Sequence, residues 1–234
     1  MNLVRAIFSV ISFLLFTSCA SEYQIKGSSS VSRLDGKMLF VKVPHRSGMM
    51  SVDSAEVVHG FFQMQGEIDS AMLASLYMDD QSIMPLVVER GNIQIQIDNG
   101  RIIVSGTPLN DKLYDFVGKK SSLDDRAYEV ERMESRLIMD GKAIEEVEKE
   151  ITRERELLSR EMDDLVKTFI QDNYHNVLGP GIFIMLCNGF PYPLLTPAME
   201  EIVDKAPDSF KNHDLVKEYL EVARENMEKL NAEQ

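Results

Sequence analysis

Two cysteines, four histidines and three adjacent aspartate pairs are the side chains from which this 234-residue chain could build chemistry. Cys19 and Cys187 are the only cysteines and no Cys-x-x-Cys exists, so dithiol exchange within the chain is excluded. Cys187 ends an apolar run just before Asn188-Gly189. At a helix C-terminus the dipole would oppose a thiolate, so a buried structural thiol is expected, with a mixed disulfide to a partner as the other reading. His45, His59, His175 and His213 share no metal-ligand spacing; His59 reads as a turn residue and His213 as a helix cap. In Asp79-Asp80, Asp124-Asp125 and Asp163-Asp164 the neighbouring carboxylates point in different directions, so an acid–base pair would have to be assembled by the fold. No serine sits in a nucleophile elbow, and Gly179-Pro180-Gly181 lacks the spacing and the lysine of a phosphate loop. No catalytic residue, cofactor site or metal site is expected, and the chain reads as a non-enzyme.

Cys19 carries a different chemistry. Arg5 and the N-terminal amine precede an almost unbroken apolar run over residues 6–16, and Thr17-Ser18 lead into Cys19. A positive start, a short apolar core and small residues make a secretory signal, and a cysteine directly after them is the mark of a bacterial lipoprotein. Cleavage before Cys19 and acylation of its thiol and new amine would give a stable anchor, since each buried methylene contributes about 0.8 kcal/mol. An ordinary secretory signal is the alternative. With Cys19 lipidated, Cys187 has no partner within the chain. The formal charge of −13 argues against nucleic acid and against adhesion to anionic lipid.

These residues must be held by two kinds of segment. After a short tether at residues 19–22, strand patterns separated by glycine turns run to about Thr107. Ile93-Gln94-Ile95-Gln96-Ile97 alternates, with isoleucines on one face and glutamines on the other. Residues 38–43 are apolar on both parities apart from Lys42, as a strand of a sandwich core can be. Asp35-Gly36, Asn99-Gly100 and His59-Gly60 are expected to form type I′ hairpins, and Arg90-Gly91-Asn92 a further turn. Short strands without intervening helices predict an antiparallel sandwich or barrel of roughly seven or eight strands. Methionines are expected mainly to fill its core, with Met49-Met50 and the loop Phe190-Pro191-Tyr192-Pro193 as candidate exposed contacts.

The period changes at Pro108. Thr107 is expected to cap a short helix to about Val117, and Ser122 with Asp125 to open a longer one ending at Asp140-Gly141. A second long helix carries the stripe Ile144, Val147, Ile151, Leu158, Met162, Leu165 and Phe169, with pairs Glu145–Lys149, Glu156–Arg160 and Asp163–Lys167 outside. The two predict an antiparallel helical hairpin. Gly179-Pro180-Gly181 should break the chain, Thr196-Pro197 should open a helix to about Lys205, and Asn212 or His213 should open a last one.

The order Tyr23-Gln24-Ile25-Lys26-Gly27, Leu34-Asp35-Gly36-Lys37, Asp53-Ser54, His59-Gly60-Phe61-Phe62 and Ile103-Val104-Ser105-Gly106-Thr107-Pro108-Leu109-Asn110 resembles the domain of unknown function found in Bacteroidota envelope lipoproteins. That domain commonly precedes a thioredoxin-like or peroxiredoxin-like domain. The resemblance covers Tyr23 to about Asn110, and the helical part to about Tyr219 is similar to the linker of those proteins. It implies no catalytic residue. No thioredoxin-like segment accompanies it here, so the thiol chemistry it implies would belong to a separate partner.

The expected architecture is therefore α+β: a signal peptide at 1–18, lipidated Cys19 and a tether at 19–22, a β-sandwich at 23–107 and a helical region at 108–234. The expected role is a non-catalytic binding or scaffolding module of the cell envelope. It would be anchored to the membrane through Cys19, most simply on the periplasmic side of the outer membrane. The alternative is an accessory module that recognises substrate for a thioredoxin-like partner.

Overall fold

The computed structural model describes residues 21–45 and 48–232. Cys19 and the signal segment lie outside the described residues. Eight strands come first: β1 (Ser21–Ser29), β2 (Met38–His45), β3 (Gly48–Glu56), β4 (Phe61–Ile68), β5 (Met72–Met78), β6 (Gln81–Val88), β7 (Gly91–Asp98) and β8 (Arg101–Ser105). They form two four-stranded sheets, β4-β1-β7-β8 and β3-β2-β5-β6. The sandwich expected from the strand pattern is present. It stays open rather than closing as a barrel, leaving β8 and β6 as edges. Ile93, Ile95 and Ile97 of β7 are buried while Gln94 and Gln96 are exposed, as their alternation predicts. They meet Ile25, Leu39, Val41, Leu76 and Leu86 in one core between the sheets.

The sandwich is not wholly antiparallel. β1 pairs with β4 antiparallel but with β7 in parallel, Tyr23 beside Gly91 and Ser29 beside Ile97. A parallel pair needs a long crossover, and here β2 to β6 supply it, a connection that local patterns do not encode.

The turns sort by backbone. His59 and Gly60 both have positive φ (52° and 77°), and Val58 and Phe61 exchange backbone hydrogen bonds of 2.8 and 3.0 Å across them, so the type I′ hairpin forms as expected. Asp35-Gly36 does not form one. Asp35 is extended (φ −64°, ψ 134°) and Lys37 N–H donates to Leu34 O, the pattern of a type II turn, which leads from a 3-10 turn at Ser32–Leu34 into β2. Gly100 alone takes positive φ at Asn99-Gly100, and Gly91 serves a passage between the sheets rather than a hairpin. Asp79, with φ 54°, joins β5 to β6. This turn hides in the sequence behind an acidic pair.

The helices are α1 (Pro108–Met139), α2 (Ile144–Asp172), α3 (Leu178–Cys187), α4 (Pro197–Lys205), α5 (Asp208–Lys211) and α6 (Asp214–Ala232). α1 is one 32-residue helix, not the expected two. Gly118 and Ser121-Ser122 look like a break, but a helical glycine costs only about 1 kcal/mol, and tertiary packing offsets that. α1 and α2 form the expected antiparallel hairpin, with Phe116 stacked on Phe169 at 4.3 Å. It turns through a Schellman motif at Gly141 (φ 82°), where Gly141 N–H donates to Ile138 O and Lys142 N–H to Leu137 O. Glu156 pairs with Arg160 as expected, whereas Lys167 turns to Asp164 and Glu201.

Gly179-Pro180-Gly181 does not break the chain. It lies in the first turns of α3, where a missing proline N–H is tolerated, and its glycines allow close packing. A Cβ on Gly181 would stand 2.2 Å from Leu73 of β5. α4 starts as predicted, Met199 N–H donating to Thr196 Oγ1 at 3.3 Å. Leu113, Phe116, Ile170, Phe183, Met199, Phe210 and Leu220 build a second core, which Val87 of β6 joins from the sandwich. Among the described residues, no helix is long and apolar enough to cross a membrane.

Candidate functional site

The site lies where the sandwich is open. β6 and β8 are the edges of opposite sheets, and α1 runs along the gap between them. Asn110, fully buried, turns its side chain onto the free edge of β6. Val87 N–H donates to its Oδ1 at 2.9 Å, and its Nδ2 donates to Val87 O at 2.7 Å and to Thr107 Oγ1 at 2.9 Å. One turn on, Tyr114 Oη donates to Pro85 O at 3.0 Å. The geometry matches because four helical residues rise about 6 Å and two strand residues advance about 6.6 Å. Pro85 has no N–H to offer, so this half of the edge is fully capped. Burial pushes the Tyr114 phenol above its usual range. The expected Thr107 side-chain cap is not made. Glu89 at the end of β6 instead accepts from Leu109 N–H at 2.7 Å and Asn110 N–H at 3.1 Å, placing a carboxylate at the positive end of α1.

Beyond Tyr114 the capping stops. The face of α1 made by Val117, Gly118, Ser121, Ser122 and Asp125 stands off from the strands and leaves a cleft of about 1300 Å³. Its floor is apolar, including Leu34, Met78, Ile83 and Ile102, and its rim carries Arg33 and Arg101. Both arginines are exposed and neither makes an ion pair among the described residues. Asp98, the nearest acid in sequence to Arg101, has both oxygens engaged, one by Ser30 Oγ and one by Gln96 Nε2, each at 2.8 Å. The cleft lies at the Ser29–Ile97 end of the sheet, roughly 25 Å along β1 from Ser21.

The reactive side chains singled out in the sequence are not brought together. Cys187 is 1% exposed at the end of α3, and burial pushes its thiol up to about 12, offset in part by the neighbouring Tyr219 hydroxyl. His45 lies on β2, His59 in the β3–β4 turn, His175 after α2 and His213 before α6. No group of three His, Cys, Asp or Glu among the described residues is arranged to hold a metal. Met64 and Met84 are buried in the sandwich; Met49, Met50 and Tyr192 are exposed. The hairpin tip exposes Ile138, Met139 and Ile144, about 20 Å beyond the cleft along α1. Sequence reading missed the cleft. Its one local signal is Gly118, a helix-breaking residue in the interior of a helical pattern.

The motifs singled out in the N-terminal part hold one another. Tyr23 Oη of β1 donates to Asp53 Oδ2 of β3 at 2.7 Å across the two sheets, and burial together with that carboxylate raises the phenol above its usual range. Gly60 N–H donates to Asp35 Oδ1 at 3.2 Å, joining two turns. A Cβ on Gly27 would stand 1.9 Å from the Phe62 ring, so the glycine is required by the aromatic. Asn110 ends the series at the β6 edge. These positions form a structural frame for the sandwich. No curated protein matches the chain. Residues 23–113, the sandwich with the first turns of α1, match the model of a family described as a domain of unknown function (DUF4369).

Proposed function

We propose that this protein is a lipid-anchored module of the bacterial envelope that binds a partner, without catalysis of its own, in the cleft between β6, β8 and α1. The observation that carries the reading is the cleft itself: an apolar floor with two arginines that make no ion pair among the described residues, in a chain of net charge −13. The cleft's position is compatible with an anchor at Cys19: β1 begins at Ser21, and the cleft opens at the other end of that strand. The buried, weakly acidic Cys187 thiol disfavours redox chemistry by this chain. The thiol-redox association implied by the family resemblance is then a narrower case, in which the occupant is a thioredoxin-like protein.

Two measurements test the reading. Cys19→Ser should move the protein from the membrane to the soluble fraction; retention at high salt would refute the anchor. A photoreactive amino acid at Ser122, inside the cleft, should give a discrete adduct in cells, and one at Lys120, outside it, should not. Equal labelling at both positions, or none at Ser122, would refute the cleft as the binding site. A thioredoxin-like protein in the Ser122 adduct would select the narrower case.

A further inference from the structure

We propose that the occupant of the cleft is an extended peptide segment of a partner protein. It adds as a strand beside the uncapped stretch of β6 and offers an acidic side chain to Arg33 and Arg101. The proposal rests on the reading of the cleft as the binding site and names the chemistry of what it binds.

α1 itself shows what the β6 edge requires. Asn110 and Tyr114 supply, at one-turn spacing, the hydrogen bonds that a neighbouring strand would have made to Val87 and Pro85. The next turn brings Gly118, where a Cβ would meet nothing within 4 Å. Among the described residues, no side chain of α1 beyond Tyr114 hydrogen-bonds to the edge. Between Gln81 and Met84, no hydrogen bond from outside the β5–β6 pair is made among the described residues. The ladder also skips Ile83, which has no opposite residue on β5.

Exposed strand edges are normally blocked by proline, charge, a bulge or a covering element, and the irregularity at Ile83 is the one such device in the open stretch. Here the proline and the cover both fall on the capped half. Gln81, Ser82, Ile83 and Met84 carry neither charge nor proline. A helical ligand or an acyl chain could fill the apolar floor but could not pair the open backbone groups; an extended peptide does both. Its alternate side chains would point toward Ile83 and Ile102 or away from them. A carboxylate among them would meet two guanidinium groups that make no ion pair among the described residues, a pairing that favours planar, doubly hydrogen-bonded contact.

The test is selection of random dodecapeptides displayed on phage against the full chain, with Gly118→Leu as counter-target. Leucine is a better helix former than glycine, so this variant should remain folded, which circular dichroism checks. The expected peptides have apolar residues at every second position and at least one acid. They should bind at least about tenfold more weakly to Gly118→Leu and to the Arg33→Glu, Arg101→Glu double variant. N-methylation of alternate peptide amides should weaken binding about tenfold in one register and little in the other, since only one set faces the strand. Apolar residues at helical spacing, no effect of N-methylation in either register, or displacement by oleate would overturn strand addition while leaving the cleft as a binding site. Undiminished binding to Gly118→Leu, or no enrichment at all, would overturn the cleft itself.

Discussion

Replacing Asn110 with alanine is the sharpest test of how the helical region is joined to the sandwich. The side chain makes three hydrogen bonds of 2.7 to 2.9 Å. Two of its partners are the N–H and C=O of Val87, a residue with no exposed surface. Water cannot replace the amide there, and each buried group left unsatisfied costs about 1–3 kcal/mol. Alanine returns about 0.5 kcal/mol of helix propensity. The net destabilisation should be about 3–4 kcal/mol, a large share of the 5–15 kcal/mol typical of folded domains. For a chain of this size it corresponds to a fall in Tm of about 10 °C. Urea and thermal unfolding followed by far-UV circular dichroism and tyrosine emission can measure it, since the protein has no tryptophan. Tyr114→Phe removes only the bond to Pro85 O and should cost about 1 kcal/mol. An Asn110→Ala loss below about 1 kcal/mol would refute the claim that this side chain stands in for a missing strand.

Gly118→Ala should stabilise the fold by about 0.5–1 kcal/mol, read as a rise in Tm, because the new methyl enters open space and the helix loses a flexible residue. Gly27→Ala should cost about 2 kcal/mol or more by urea unfolding, because a Cβ there would collide with the rigid Phe62 ring. Cys187 should resist iodoacetamide in the native protein from pH 7 to 9 and react at once in urea. Because burial raises its pKa to about 12, the stability from keeping the thiol neutral is complete below the ordinary thiol range and is lost as pH climbs through that range toward 12. Cys187→Ala should flatten this part of the pH dependence of unfolding.

What could be read from the sequence was local. The β7 alternation, the His59-Gly60 hairpin and the α4 cap depend on neighbours within a few residues, the α1–α2 pairing on two long apolar stripes joined by a short turn, and all are present. What escaped depends on partners far away. β1 beside β7 needs the whole crossover between them, and the Glu89 cap on α1 links residues 20 apart. Gly179 and Gly181 look like helix breakers until the backbone of Asn173 and the side chain of Leu73 are seen against them. The cleft is the extreme case: it gathers residues from four separated segments, each unremarkable alone. Reactive residue types drew attention to Cys187 and the histidines, whereas the candidate site is built of strand edges, two arginines and a glycine.

Amide hydrogen exchange of the protein in the membrane fraction where the proposed anchor would hold it, compared with the same protein purified, is the most direct test of the cleft as a binding site. Exchange should be slower in the membrane at Gln81–Met84 and around Ile102, with the outer face of the β4-β1-β7-β8 sheet unchanged. Equal exchange at the β6 and β8 edges in both preparations, or protection confined to another surface, would contradict it.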